Sequence, residues 1–104
     1  MTSPLRIDIS RQAAGQIEAA ASWWAANRPA APGAIAQELE RAFALVGFQP
    51  SLGARALNVR LRGVRRLHLS RIHYHIYYRV HEQTVEVLAF WHTSRGAGPG
   101  MRTP

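Results

Sequence analysis

The sequence predicts an α+β fold, a two-layer sandwich in which a helical hairpin packs on a mainly antiparallel sheet in the order β-αα-βββ. Three patterns carry this expectation. Leu5, Ile7 and Ile9 alternate with Arg6 and Asp8 as a short strand, two apolar stripes of helical period follow, and three alternating segments span about 64–70, 73–80 and 85–92. The 104 residues suffice for one domain with its own core, expected over 1–95.

After the first strand, Ser10 suits a helix N-cap, and Ala13, Ile17, Ala20 and Trp24 recur at helical spacing to about Ala26. Asn27, Pro29 and Pro32 interrupt that period. Pro32 fits the first turn of a second helix, whose stripe is Ile35, Leu39, Ala42, Phe43 and Val46, with Gly47 as its C-terminal cap. Helices joined by so short a connection pack as a hairpin. Residues 49–54 read as a loop, and 55–62 as a strand extension or an irregular approach to the sheet. The tail 96–104, rich in Gly and Pro, is expected to be flexible.

Period-two alternation divides the last three strands into two faces. Tyr74, Ile76, Tyr78 and Val80 read as core, matched by Val85, Val87, Ala89 and Trp91 across a turn around 81–84. The opposite face then collects Arg66, His68, His73, His75, Tyr77, Arg79, Glu86, Leu88, Phe90 and His92, a basic and aromatic surface. Pairing the strands as hairpins sets His68 opposite His75, Arg66 opposite Tyr77 and Arg79 opposite Glu86. Ile72, β-branched and averse to positive φ, favours a four-residue loop before the middle strand over a two-residue one.

A formal charge of +7 predicts attraction to an acidic partner. All thirteen basic residues are arginine, so ammonium and Schiff-base chemistry are excluded while bidentate recognition of carboxylate or phosphate is available. The absence of cysteine removes disulfides, thiolate metal sites and cysteine nucleophiles. No run is long and apolar enough to span a bilayer, and MTSPLRIDIS lacks the apolar region of a secretory signal, so a cytoplasmic location is expected. His68, His73 and His75 have the density of a metal site but no clear carboxylate second shell beyond Glu86. No metal or cofactor is expected. An imidazole of ordinary pKa, about 6.5, can instead exchange protons at cellular pH.

The segments AASWWAANRP, ELERAFALVGFQPSLG, GVRRLHL, YHIYYRV and VEVLAFWH, followed by Arg95, resemble in their order the RelE/ParE superfamily of toxins from type II toxin–antitoxin modules. The likeness covers nearly the whole domain and is nearest to the ParE-like, plasmid-stabilisation branch. It implies a growth-inhibiting toxin neutralised by a cognate antitoxin in a hetero-oligomer. ParE-like members act on DNA gyrase, whereas RelE-like members cleave mRNA on the ribosome with basic residues and often a tyrosine near the C-terminus. This chain has no lysine and no tyrosine after Tyr78, which favours gyrase binding without catalysis.

The alternative implied by the superfamily is an mRNA endonuclease using His75, Tyr77, Arg79, His92 and Arg95 on one face, with His92 or His75 as base and Arg66 and Arg79 stabilising the phosphate. For partner binding, Trp23, one position off the core stripe, is the expected apolar anchor in a groove between the hairpin and the sheet edge. Arg60, Arg62 and Arg66 would pair with acidic groups there, and His92 and Arg95 complete the expected partner surface.

Overall fold

In the computed structural model, which describes residues 3–95 and 98–100, β1 (Arg6–Ile9) leads directly into α1 (Arg11–Asn27) and, after a short turn, α2 (Ala34–Phe48). A two-residue β2 (Ala54–Arg55) precedes the meander of β3 (Arg65–Leu69), β4 (Tyr74–His81) and β5 (Thr84–His92). The five strands form one sheet in the order β1-β5-β4-β3-β2, antiparallel except for the β1–β5 pair. The β-αα-βββ order and the α+β class are as the sequence predicts, with β2 as a small additional edge strand.

Ser10 is the junction between strand and helix. Its side chain accepts a hydrogen bond from the Ala13 N–H at 3.1 Å, its backbone N–H donates to the Val87 carbonyl, and its hydroxyl donates to the Leu88 carbonyl at 3.3 Å. Beyond the end of β1, Gln16 Oε1 accepts from the Phe90 N–H at 2.8 Å, so α1 side chains satisfy the edge of β5 that β1 does not reach. Pro32 lies before rather than inside α2, whose N-cap is Gly33. Gly47 is not the terminal cap either: it is buried within α2, where an added Cβ would stand 3.4 Å from the Leu5 carbonyl oxygen and Pro4, and Gln49 caps the helix.

The helical layer and one sheet face enclose the main core, built from Ala13, Ala20, Ile35, Leu39, Ala42 and Val46 against Ile76, Tyr78, Val85, Val87 and Phe90. Full burial of each large aliphatic or aromatic side chain here contributes roughly 1.5–3 kcal/mol. Tyr78 also ties down the loop after α2. Its hydroxyl accepts from the Gly53 N–H and donates to the Pro50 carbonyl, both at 2.8 Å, while Arg65 Nη1 donates to the Gly53 carbonyl at 2.7 Å.

The β3–β4 register is the expected one, with His68 opposite His75 and Arg66 opposite Tyr77. The four residues 70–73 form the turn, Ile72 is fully buried, and His73 adopts φ 61° in the turn instead of extending β4. In β4–β5, Val80–Val85, Arg79–Glu86 and Tyr78–Val87 pair as expected, and Glu82 and Gln83, both at positive φ, make the tight turn. A β-bulge then interrupts the ladder. Tyr77 pairs with Ala89, Ile76 with Phe90, His75 with Trp91 and Tyr74 with His92, leaving Leu88 without a partner.

That extra residue corrects the expected faces of the C-terminal half of β5. Phe90 joins the helix-side core and stacks on Tyr74, with ring centroids 4.3 Å apart and planes 6° from parallel. Leu88 keeps its expected face, and Ala89 and Trp91, expected in the core, join it there; Leu88 and Ala89 form with Tyr77 and Val64 a second buried cluster beneath Ala56, Val59 and Leu61. The face expected to be open is therefore partly roofed by the irregular segment 56–64. Of the tail expected to be flexible, Pro99 is buried, Gly100 accepts a hydrogen bond from Gln12 Nε2, and Gly98 lies against Asn58; residues 96–97 and 101–104 fall outside the described residues.

Candidate functional site

At the end of the sheet where β4 begins and β5 finishes, the last turns of α1 lean over the strands and leave a cleft of about 590 Å³. Trp23, Trp24 and Arg28 line it from the helix side, Arg71 and His73 from the β3–β4 turn, and Tyr74, His92, Ser94 and Arg95 from the strand ends. A continuation along Gln16 and Ala20 reaches Phe90 and Trp91. Trp24 is fixed by its indole N–H donating to the Ala31 carbonyl at 2.9 Å, whereas Trp23 is 50% exposed.

Arginine chemistry dominates this cleft. Arg28 Cζ lies 5.7 Å from the Trp23 ring centroid and 5.9 Å from that of Trp24, and Arg95 Cζ lies 4.0 Å from the Trp91 centroid. His92 meets Tyr74 edge-on at 5.0 Å, and its Nδ1 accepts from the Ser94 N–H at 3.1 Å, which puts the proton of the neutral ring on Nε2. Burial pushes the Tyr74 hydroxyl above its ordinary pKa, an effect that Arg95 partly offsets.

A second basic surface follows the roof of the sheet. Arg55, Arg60, Arg62 and Arg65 border a groove of about 460 Å³, beside which Leu57 is 91% exposed. On the uncovered part of that face His68 and His75 stand 5.1 Å apart between ring centroids. Burial, then Arg66, then His68 lower the His75 pKa, so its ring is neutral at pH 7. His73, in the turn, is not part of the pair. Among the described residues no group of three or more His, Asp or Glu is placed to hold a metal ion, and none of their helices is long and apolar enough to cross a membrane.

The sequence model described as "ParE toxin of type II toxin-antitoxin system, parDE" matches residues 7–96, which includes every strand and helix above except Arg6 at the start of β1. The chain belongs to the ParE toxin family. Its fold is similar to a solved chain of the chromosomal ParDE TA system from P. aeruginosa, with a TM-score of 0.72, 18% identity, and coverage of 89% of this chain and 100% of that one. No curated protein matches the sequence significantly.

On this ParE-family fold the residues singled out in the sequence do not form one site. Tyr77 is buried, and its hydroxyl accepts from Asn58 Nδ2 at 3.0 Å. Arg79 is bound to Glu86 at 2.9 Å. The bulge moves His92 to the Tyr74 side of the sheet, away from His75, so the expected single face of His75, Tyr77, Arg79 and His92 is not present. Trp23, His92 and Arg95 do meet, in the α1 cleft, whereas Arg60 and Arg62 lie in the separate groove and Arg66 beside Tyr77 and His75. Arg28 and Tyr74, which the sequence does not single out as partner contacts, line the same cleft. The spacing of Trp24 and Arg28, four apart on one helix face, is the signal that points to the first.

Proposed function

We propose that this ParE-family toxin inhibits growth by binding DNA gyrase without doing chemistry itself, and that a cognate antitoxin holds it in an inactive hetero-oligomer. The observation that carries this reading is the division of the candidate ribonuclease residues between two sheet faces. General acid–base catalysis requires proton donor and acceptor within hydrogen-bond reach of one reacting group. Here His75 and the buried Tyr77 stand across the sheet from His92, and Arg79 is occupied by Glu86. The gyrase target itself rests on family likeness.

The antitoxin reading draws on charge. A net +7 with exposed Trp23 and two arginine-lined recesses suits an acidic, partly apolar protein segment, with Trp23, Arg60, Arg62, Arg66, His92 and Arg95 as the candidate contacts. Purified toxin in excess over gyrase is expected to abolish supercoiling and accumulate cleaved complexes. Unchanged supercoiling overturns the gyrase reading. Primer extension on translated messages after induction is expected to show no toxin-dependent ends; discrete codon-associated ends would establish an mRNA endonuclease instead.

A further inference from the structure

Two guanidinium groups in the α1 cleft are held over indole rings with no acid beside them. Among the described residues, Arg6, Arg71 and Arg79 pair with Asp8, Glu38 and Glu86, but Arg28 and Arg95 make no ion pair. Each instead lies over tryptophan: Arg28 over Trp23 and Trp24, Arg95 over Trp91. A cation–π contact holds a guanidinium in place without using its N–H donors in an ion pair, so they can still take a carboxylate or phosphate. No Asp or Glu lines the cleft, and the His92 Nε2–H is one more donor at its wall. The result is a concentration of cationic and N–H donors with no carboxylate among the lining residues.

Two features separate a carboxylate-bearing peptide from a nucleic acid as occupant. Binding of unpaired bases relies on stacking against aromatic faces. Here Arg95 lies over Trp91 at 4.0 Å and Tyr74 is stacked on Phe90, so a base stacking on either ring would have to displace the group already there. The exposed half of Trp23 borders the same cleft and offers apolar contact area beside the charged edge.

We propose that this cleft reads an acidic side chain of the antitoxin, an Asp or Glu carboxylate held by Arg28 and Arg95, with a neighbouring large apolar side chain against Trp23. The inference rests on the antitoxin reading above and names the chemistry the partner brings. It also separates two jobs: the Arg55–Arg65 groove supplies long-range attraction, and the cleft supplies the seated contact.

The test uses the full-length toxin and its cognate antitoxin, identified as the protein whose co-expression relieves growth arrest. Antitoxin affinity is compared for wild type, Arg28→Gln, Arg95→Gln and Arg41→Gln; the last removes one exposed charge on α2 outside the cleft. The expected result is a loss of about tenfold or more for each cleft variant and little change for Arg41→Gln. Arginine-directed glyoxal labelling of the wild-type complex, which requires no variant to fold, is expected to show Arg28 and Arg95 protected. Equal affinities, or labelling unchanged by the antitoxin, overturn the cleft assignment while leaving the antitoxin reading intact. The absence of any complex overturns that reading as well. A single-stranded oligonucleotide that competes with the antitoxin and protects the same arginines would overturn the peptide in favour of nucleic acid.

Discussion

Tyr78 and His75 show how single side chains on one strand take opposite roles. The Tyr78 hydroxyl is buried, accepts from Gly53 and donates to Pro50, and so joins the loop after α2 to the middle of the sheet. Tyr78→Phe leaves a buried N–H and a carbonyl without that partner and is expected to cost about 1–3 kcal/mol, read as a lower urea midpoint at unchanged m-value. His75 points the other way, beside His68 and Arg66, and its folded-state pKa lies below that of the unfolded chain. The unfolded state therefore binds more protons as the ring titrates, and stability rises with pH. The His75 contribution is fully present above its unfolded pKa, about 6.5, and is lost as pH falls through the depressed folded value. The melting temperature should fall on acidification from about pH 7 to 5, and His75→Gln should flatten part of that slope. An identical slope in the variant would mean that other groups carry it.

Among the elements, β5 depends on one residue for its facing. Leu88 is the extra residue of the bulge, and beyond it Ala89 and Trp91 face the roof while Phe90 and His92 face the helices. Deleting Leu88 would restore strict alternation with Val87, Phe90 and His92 still on the helix side and Ala89 and Trp91 on the roof side, and would remove only the buried Leu88 side chain from the roof cluster. The deletion is expected to destabilise the fold by about 2–5 kcal/mol, the cost of losing a large buried side chain, seen as a lower midpoint of a still cooperative thermal transition. The roof has its own close contact. A Cβ added at Gly98 would fall on the Asn58 carbonyl oxygen and 2.7 Å from its Nδ2, and Asn58 in turn holds the Tyr77 hydroxyl. Gly98→Val should therefore loosen the segment over Tyr77, with faster amide exchange at 56–64 and little change in the α1–α2 hairpin. Unchanged exchange there would show that the tail contributes nothing to the roof.

For the whole molecule, charge and apolar anchor act on different steps of association. The net charge of +7 should steer an acidic antitoxin, so the association rate should fall with rising salt. Trp23, half exposed at the mouth of the cleft, should act on dissociation. Trp23→Ala is expected to weaken the complex by roughly 1–3 kcal/mol with little salt dependence, whereas Arg60→Ala and Arg62→Ala should slow association and flatten its salt dependence. Stopped-flow measurements across ionic strengths separate the two effects, and a Trp23→Ala complex with wild-type kinetics would assign Trp23 to bystander surface.

Local periodicity alone was enough for the order of elements, the Ser10 cap, the core stripes of both helices and the pairing of β3 with β4, because polar and apolar residues alternate there and reveal which side is buried. That information ends at Glu86. Residues 87–91, VLAFW, are all apolar, so no polar residue marks a face, and only the meeting of β5 with Ser10 and the α1 edge places the bulge at Leu88. The same limit applied to the site. Basic and aromatic residue types were legible as recognition chemistry, but the burial of Tyr77, the separation of His92 from His75 and the joining of Arg28 to Arg95 depend on contacts between distant segments. Tertiary packing decided them, since a one-residue bulge exchanges the two faces of everything beyond it.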